Sequence, residues 1–412
     1  MRVAVVSLDT RGGVQPYMAL ALGLQRAGHE VRFIAASGYG PMLRGRGLTH
    51  HALTGNVEDT LRGSAGVTEK GTLASMRFVQ QETPRRVVQW AREALEACEG
   101  VDVITGGVGG MIAGLAVAER LGVPFLETHL QPVGASTGAF PGTLFPGVPR
   151  WLGRAGRRSS HSLSELALWL PFRGAMKKAR EALGLNGPAR RVGVPPVLYG
   201  FSRHVLPEAP EWLGRRFVTG YWFLPAAEDW LPPPGLEAFL GQTGPVVCIG
   251  FGSMTTVDSR ATTALVEEAV RRAGVRAVLL SGWGAFEAAA HDRIFAAAAV
   301  PHDWLYPRVA AVAHHGGAGT TGASLRAGVP TIVVPFTMDQ PFWGARVVAL
   351  GVGPDPIPRR RLTAENLAAA LSRAVSDGAM RARAAEMGAL IRQEDGVADA
   401  VAHFTRLAAG ES

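Results

Sequence analysis

A strand–glycine–helix unit that occurs in two separate sets constrains the fold of this chain more than any other feature. The first set opens with a valine-rich apolar run at 2–8, followed by a helix predicted over 16–27 and a strand at 31–35. It continues with a strand at 101–105 and a helix predicted over 113–121. The second set starts at 244–250, where two glycines flank another apolar run. Short buried runs that alternate with helices predict parallel sheets covered by helices on both faces. The predicted class is therefore α/β, with two Rossmann-like, doubly wound domains.

The length of 412 residues agrees with two domains, because single hydrophobic cores stop growing at about 250–300 residues. We predict an N-terminal domain over 1–220, a linker rich in proline and tryptophan over 221–235, and a C-terminal domain over 236–394. The final segment, 395–412, is predicted to be a helix that crosses back to the N-terminal domain. Ligands of parallel sheets bind beyond the carboxyl ends of the strands. A site in a cleft between two facing sheets is therefore expected.

The charge of the chain is strongly positive, with a net value of +8 and a pI near 10.1. Arginine supplies most of it, since the only lysines are Lys70, Lys177 and Lys178. The arginines are scattered and lack interleaved aromatic residues, so nucleic acid is not an expected partner. A basic face would favour transient contact with a membrane surface that carries anionic lipid.

Neither cysteines nor apolar runs indicate a metal, a disulfide or a membrane span. Cys98 and Cys248 belong to no Cys/His cluster of metal-binding spacing. No uninterrupted apolar run reaches the roughly 18 residues of a membrane helix. The first strand is followed by Asp9-Thr10-Arg11 and not by a small-residue cleavage site, so we expect a cytoplasmic protein.

The segment 314–321, His-His-Gly-Gly-Ala-Gly-Thr-Thr, carries the strongest chemical signal. It follows a predicted strand over 310–313 and opens a predicted helix through Ala327. Small residues let a backbone approach a ligand closely, and the amides and dipole of a helix N-terminus favour phosphate. His315 would add a hydrogen bond or a positive charge. The alternative interpretation is a glycine-rich turn beside a core histidine.

Three more loops follow predicted strands of the C-terminal domain. Asp339 and Gln340 stand side by side and suit the hydroxyls of a polyol, while helix capping is the alternative for Asp339. Ser253, in a Gly-Phe-Gly-Ser-Met loop, would reach the phosphates. Trp283, in a Ser-Gly-Trp-Gly loop, offers a flat ring to a base or else fills the core.

Together these motifs resemble the donor-binding signature of the GT-B fold, inverting UDP-sugar glycosyltransferases, which include antibiotic aglycone and plant secondary-product transferases. Pro-His-Asp-Trp-Leu-Tyr-Pro-Arg-Val at 301–309, Asp-Gln-Pro-Phe-Trp-Gly at 339–344 and Glu-Asp-Gly-Val at 394–397 are most similar to the sterol 3-β-glucosyltransferase branch. The similarity covers the C-terminal half, whereas the N-terminal half matches mainly at 10–16.

The resemblance implies a role for each half, with acceptor binding in the N-terminal domain and nucleotide-sugar binding in the C-terminal one. The residues implied in donor binding are Arg11, Gly252, Ser253, Trp283, Val300, His315, Gly317, Ala318, Gly319, Thr320, Asp339 and Gln340. A UDP-sugar, or a dTDP-sugar, would be the co-substrate, and no cofactor is expected. No metal is expected either, because these loops contain no Asp-x-Asp pair and a helix N-terminus can supply the compensating charge.

The first loop departs from the family pattern at the residue that carries catalysis. In relatives it reads Gly-Thr-Arg-Gly-Asp-Val-Gln-Pro, where the aspartate, or a histidine in its place, is the expected general base. Here Gly13 occupies that position, and Asp9 stands four positions earlier, where relatives have glycine. Asp9 could be a relocated base, or His129 could serve. Otherwise transfer runs without a base, at a cost of about 10²–10⁴-fold, or the chain is a sugar-nucleotide-binding paralogue of low activity.

The acceptor is less constrained than the donor. The segment 132–175 contains Phe140, Phe145, Trp151 and Trp169, which either line a hydrophobic acceptor pocket or fill the core. We expect an inverting, metal-independent transferase that moves a sugar, with glucose as the first candidate, to a sterol, hopanoid, polyketide or flavonoid hydroxyl. A sugar-nucleotide epimerase of the same architecture is the alternative enzyme class.

Overall fold

The fold is described from a computed structural model. The residues that it describes are 1–55, 67, 70–187, 196–212, 214–252, 258–282 and 292–410. The chain divides into two compact units. Unit 1 comprises Met1–Thr60, Ser75–Leu224 and Asp395–Ser412, and unit 2 comprises Leu61–Ala74 and Pro225–Glu394. Unit 2 thus includes a short segment that the predicted boundary at 220 assigned to the N-terminal domain.

Each unit is built on a fully parallel sheet. The strands of unit 1 are β1 (Arg2–Ser7), β2 (Glu30–Ala36), β3 (Thr49–Leu53), β4 (Val103–Gly106), β5 (Phe125–His129), β6 (Val197–Tyr199) and β7 (Arg216–Val218). Those of unit 2 are β8 (Val246–Gly250), β9 (Arg276–Leu280), β10 (Ile294–Ala297), β11 (Ala311–His314) and β12 (Thr331–Val333). The strand orders are 3-2-1-4-5-6-7 and 10-9-8-11-12, so both sheets begin with the same doubly wound arrangement.

Helices connect the strands in both units. They are α1 (Arg11–Arg26), α2 (Gly40–Arg44), α3 (Thr72–Ala97), α4 (Val108–Leu121), α5 (Gly153–Trp169), α6 (Arg173–Ala182), α7 (Leu236–Gly241), α8 (Ser259–Ala273), α9 (His302–Leu305), α10 (Ala318–Ala327), α11 (Gln340–Leu350), α12 (Ala364–Ser376), α13 (Gly378–Arg392) and α14 (Gly396–Ala408). Two short 3₁₀ turns, Arg150–Leu152 and Leu170–Phe172, flank α5. Among the described helices none is long and apolar enough to cross a membrane.

Two helices of unit 1 begin about five residues earlier than predicted. Helix α1 begins at Arg11 and not at Pro16, and α4 begins at Val108, whereas its predicted start was 113. Glycines near these starts suggested loops, because glycine lowers helix propensity. Packing overrides that preference, since a methyl group at Gly110 would lie 2.1 Å from the carbonyl oxygen of Val6 on β1. The glycine lets the first turn of α4 lie directly against the sheet.

The last helix, α14, groups with unit 1 and packs on α1. The Oδ1 atom of Asp395 accepts a hydrogen bond from the amide of Ala398 at 3.0 Å and so caps its N-terminus. A methyl group at Gly396 would lie 2.5 Å from the carbonyl carbon of Gly220. These contacts explain the Asp-Gly pair of the motif at 394–397 by helix capping and close backbone approach.

Candidate functional site

The two sheets change direction at equivalent places. In unit 1 the connections diverge between β1 and β4, and in unit 2 they diverge between β8 and β11. Ligands of open parallel sheets bind beyond the carboxyl ends of the strands at such switch points. Each switch point of this protein carries one titratable side chain held between two glycines. The side chain is Asp9 in unit 1 and His315 in unit 2.

The imidazole of His315 lies between the loop that follows β8 and the first turn of α10. A methyl group at Gly252 would lie 3.0 Å from its Cε1 atom, and one at Gly317 would lie 2.6 Å from its Nε2 atom. Gly252 also has a φ of +62°, which favours glycine. The predicted residues Gly252, His315 and Gly317 are therefore brought together, and the ring needs both glycines.

His315 is a neutral hydrogen-bonding group at physiological pH. Burial, followed by electrostatic interaction with His302, lowers the pKa of His315 to about 4. Its Nδ1 atom is buried and has no hydrogen-bond partner among the described residues. An unpaired buried polar atom is costly, and this one lies in a glycine-lined loop beyond the carboxyl end of β11, where ligands of parallel sheets bind.

The start of α10 supplies backbone donors at the same place. Gly317 is its N-cap residue and has no side-chain cap, and the first turn contains no acidic residue. The first amide that bonds back within the helix is that of Thr321, to the carbonyl oxygen of Gly317 at 2.9 Å. The amides of Ala318, Gly319 and Thr320 therefore lack intrahelical partners and can bind an anion.

His314, for which the sequence suggested no role, holds this loop in shape. It is fully buried at the end of β11. Its Nδ1 atom accepts a hydrogen bond from the amide of Gly316 at 2.9 Å, and its Nε2 atom lies 3.3 Å from the hydroxyl of Ser324. The acceptor role of Nδ1 places the proton on Nε2. The two adjacent histidines thus have different surroundings, because successive side chains along a strand point to opposite faces. The side chain of His314 holds the loop, and that of His315 contacts Gly252 and Gly317.

The predicted sugar-binding pair lies beside this loop, since a methyl group at Gly316 would be 3.1 Å from the carbonyl oxygen of Gln340. Asp339 is at the N-cap position of α11 but its carboxylate makes no cap hydrogen bond. Instead it accepts a hydrogen bond from the indole of Trp343 at 2.9 Å. Side-chain capping, the alternative interpretation for Asp339, is thus absent from this helix start.

Gln340 is buried and fixes the loop that precedes it. Its Oε1 atom accepts hydrogen bonds from the amides of Phe336 and Thr337 at 2.7 and 3.1 Å. Met338, between them and Asp339, has a φ of 58°, a strained value for a non-glycine residue. The loop conformation is therefore determined by side chains around it, and the sugar-binding role of Gln340 stays a prediction.

The remaining predicted donor residues are spread over both units. Val300 is buried in the core of unit 2, so only its backbone is a candidate for base contact. Arg11 is exposed at the first position of α1 in unit 1. Ser253 and Trp283 lie outside the described residues. In the described part of the chain no group of three or more His, Cys, Asp or Glu side chains could hold a metal ion.

Asp9 occupies the space that a side chain at position 13 would need. A methyl group at Gly13 would lie 2.5 Å from the Cβ atom of Asp9, and one at Gly109 would lie 2.8 Å from its Oδ1 atom. Gly13 lies in the right-handed first turn of α1 and does not have a positive φ, so its backbone conformation does not require glycine. The glycine at position 13 is therefore explained by the aspartate at position 9.

The environment of Asp9 makes its carboxylate a stronger base than usual. Burial raises its pKa, and a hydrogen bond from the Ser7 hydroxyl at 2.8 Å and an electrostatic interaction with His129 lower it by smaller amounts. The backbone around it is held by the hydroxyl of Tyr39, which donates to the Asp9 carbonyl oxygen at 3.2 Å. The carboxylate is placed by neighbours on three separate segments of the chain.

His129, the other base candidate, is nearly inaccessible. The exposure of its residue is 1%, and its Nε2 atom lies 3.3 Å from a carboxylate oxygen of Glu127. Its Nδ1 atom is buried without a partner among the described residues. His129 interacts electrostatically with Asp9, and this geometry favours a role through Asp9 over direct contact with an acceptor.

Neither interpretation of the aromatic segment 132–175 holds for all of it. Phe140 is buried and packs edge-on against Trp212, with 5.7 Å between the ring centres. Trp151 and Phe145 are exposed. The segment thus contributes both to the core and to the surface of unit 1.

Two family models match the chain. The glycosyltransferase family 28 N-terminal domain matches residues 3–135, and the erythromycin biosynthesis protein CIII-like C-terminal domain matches residues 286–399. Sterol 3-beta-glucosyltransferases of Cryptococcus neoformans and Emericella nidulans are both 34% identical over 97% of this chain, which covers 27% and 29% of their own lengths. The chain thus spans less than a third of the length of these two curated relatives.

Solved structures show the same fold. The glycosyltransferase SsfS6 of Streptomyces sp. SF2575 has a TM-score of 0.66 at 19% identity and covers 98% of this chain and 99% of its own. SnogD of Streptomyces nogalater has a TM-score of 0.66 at 21% identity, with 99% of each chain covered. These structural likenesses confirm the predicted fold class, and the family models and curated relatives show that the chain is similar in sequence to glycosyltransferases.

Proposed function

We propose that this protein transfers a sugar, with glucose as the first candidate, from a nucleoside diphosphate sugar to the hydroxyl of a hydrophobic acceptor, with inversion. The observation that carries the proposal is the unpartnered Nδ1 atom of His315 beside the uncapped start of α10. Relatives named sterol 3-beta-glucosyltransferase favour glucose as the sugar and a sterol as the acceptor, and we take UDP-glucose as the first donor and hopanoids as further acceptor candidates. The solved complex of SsfS6 with thymidine diphosphate makes a dTDP-sugar the alternative donor. Polyketide and flavonoid alcohols are the alternative acceptors.

On the donor side the protein stabilises a leaving group. The bond between the anomeric carbon and the diphosphate oxygen breaks as the acceptor oxygen attacks, and negative charge develops on the diphosphate. The amides of Ala318, Gly319 and Thr320 and the neutral imidazole of His315 donate hydrogen bonds to that charge. Such fixed donors cost no reorganisation during the reaction, so we expect transfer without a divalent metal.

On the acceptor side Asp9 is the general base. Its carboxylate takes the proton of the attacking hydroxyl, as the aspartate at position 13 does in the relatives that the sequence resembles. The raised pKa of Asp9, caused mainly by burial, increases its proton affinity. The position of Asp9 against Gly13 argues against a paralogue that has simply lost its base.

A product screen tests the proposal. Purified protein in excess EDTA is incubated with UDP- and dTDP-sugars and a panel of sterol, hopanoid, polyketide and flavonoid alcohols, and glycosides are detected by mass spectrometry. We expect a glycoside whose anomeric configuration is opposite to that of the donor. Incubation without acceptor separates an epimerase, which would convert the nucleotide sugar itself. The proposal fails if no donor yields a glycoside, or if transfer strictly requires manganese or magnesium.

A further inference from the structure

Helix α5 buries three polar side chains together with Leu168, and it exposes two other leucines. Its buried side chains include Ser160, His161 and Ser164, whereas Leu163 and Leu166 are 54% and 58% exposed. The polar inner face is satisfied, because the hydroxyl of Ser160 accepts a hydrogen bond from the amide of Gly142 at 2.8 Å. The hydroxyl of Ser164 likewise accepts one from the amide of Leu144 at 3.2 Å. Leu163 and Leu166 therefore leave about half of their surface uncovered by unit 1.

The exposed apolar residues form a concentrated surface. Among the described residues, six of the ten large apolar side chains that are exposed fall within 145–170. Leu163, Leu166 and Leu170 are spaced by three and four positions and so form one stripe. Trp151, 83% exposed, lies in the turn that leads into α5. Such a patch on a protein surface indicates an interaction site.

The charge of the same segment indicates the partner. Residues 150–182 contain eight Lys or Arg against two Glu, which accounts for most of the net charge of +8. Arg173 and Lys178 are exposed and make no ion pair among the described residues. Arg154 and Arg158 share the single carboxylate of Glu211, which leaves one positive charge uncompensated.

We propose that α5 and the flanking turn dock on a membrane surface that carries anionic lipid. A stripe of exposed leucines on a helix, with an exposed tryptophan and several cations in the flanking segments, is typical of a helix that lies in the bilayer interface. Tryptophan favours the headgroup level, because its ring is apolar and its N–H needs a polar partner. This interaction does not depend on the proposed catalytic function, although it would bring the protein to a phase that holds hydrophobic acceptors.

Co-sedimentation with vesicles tests the inference without any turnover. The full chain is mixed with phosphatidylcholine vesicles that contain or lack phosphatidylserine, at low and high salt. We expect binding that requires phosphatidylserine and weakens at high salt. The pair Leu163→Gln and Leu166→Gln should reduce the partition coefficient at least about tenfold. Its matched control, Leu231→Gln with Leu390→Gln, changes exposed leucines elsewhere and should leave binding intact.

A second pair of variants tests the charge. Arg173→Glu with Lys178→Glu should reduce the partition coefficient at least about 20-fold, since each cation near an anionic surface contributes about fivefold. The control Arg215→Glu with Arg381→Glu makes the same change in net charge at exposed positions elsewhere. Unchanged UDP affinity and thermal unfolding show that each variant is folded.

Two results would overturn the inference. One is a wild-type protein that binds neither type of vesicle, which would leave the face to a protein partner. The other is an equal loss of binding in the control and test pairs. A protein that binds vesicles but transfers no sugar would contradict the proposed function only.

Discussion

The switch points of the two sheets place different side chains in the same kind of site. In unit 1 the carboxylate of Asp9 lies between Gly13 and Gly109, whereas in unit 2 the imidazole of His315 lies between Gly252 and Gly317. Burial favours the neutral form in both, so it raises the pKa of Asp9 and lowers that of His315 to about 4. The first side chain becomes a better proton acceptor, and the second donates hydrogen bonds without carrying a charge.

The neighbours reinforce this difference. The Ser7 hydroxyl and His129 both interact with the carboxylate of Asp9 and partly oppose the effect of burial on its pKa. His315 is near the start of α10, where unpaired amides attract an anion. The comparison supports the proposal that the edge at Asp9 removes a proton, and we call it the proton-accepting edge. The edge at His315 is proposed to stabilise a departing diphosphate, and we call it the diphosphate edge. Variants at Asp9 and at His315 therefore test the two edges separately.

The largest effect is expected at the proton-accepting edge. Asp9→Asn keeps the size of the side chain but removes its basicity, so kcat should fall by about 10²–10⁴-fold. Affinity for UDP, measured by calorimetry, should not change. His129→Gln is the control, and its effect should be smaller because we propose that His129 acts only through its electrostatic interaction with Asp9. An Asp9→Asn variant with undiminished kcat would return the choice to His129 or to transfer without a base.

The next effect is expected at the diphosphate edge. His315→Ala removes a donor to the developing charge and should lower kcat by about 10²–10³-fold, together with weaker nucleotide binding. His51→Ala, which changes a partly exposed histidine of β3, is the control and should have no effect. If His315→Ala left both nucleotide affinity and turnover unchanged, the diphosphate would bind elsewhere.

Much of the diphosphate edge was predictable, because its residues are consecutive. Glycines after a buried run and before a helical pattern indicate a helix N-terminus, and His315 directly precedes them. The separate role of His314 was not predictable, since two adjacent histidines differ only in the face to which they point. The ring contacts with Gly252 bring together segments more than 60 positions apart, which no local pattern reports.

The proton-accepting edge was predictable only in part. Compared with related sequences, aspartate and glycine are exchanged between positions 9 and 13. The contact between Asp9 and Gly13 could not be predicted, because it arises only when α1 starts at Arg11 and places its first turn over the end of β1. Gly109 belongs to a helix start that resembles a loop in sequence. The orientation of α5 was equally hidden, because its amphipathic pattern identifies two faces but not which one is inside.

A smaller effect is expected in the pH dependence of kcat/KM, which reports on the edge at Asp9. The value of kcat/KM should fall as pH decreases through the pKa of Asp9, which lies above the ordinary aspartate value because of burial. His129→Gln removes an interaction that lowers this pKa, so the acid limb of the pH–rate profile should move to higher pH. An acid limb that stays in place in His129→Gln would show that His129 does not act on Asp9.

The smallest effect concerns stability. Because folding raises the pKa of Asp9, its contribution to stability is fully present below the ordinary aspartate value and is lost as pH rises through the folded-state value. Asp9→Asn should therefore raise Tm at pH 7, and the gain should shrink as pH falls toward 4. Calorimetric scans at both pH values check this expectation. A variant that is less stable at pH 7 would mean that the carboxylate is mainly structural.

An exchange of Asp9 and Gly13 tests the central claim most directly. Kinetic constants and Tm are measured for Asp9→Gly, for Gly13→Asp and for the double variant. Gly13→Asp alone should be impaired, because its Cβ atom would lie 2.5 Å from that of Asp9. Asp9→Gly alone should lack a base. The double variant restores the order seen in related sequences, and we expect its kcat to return to within about tenfold of the wild type. A double variant as inactive as Asp9→Gly, or a Gly13→Asp variant with normal activity and Tm, would contradict the account.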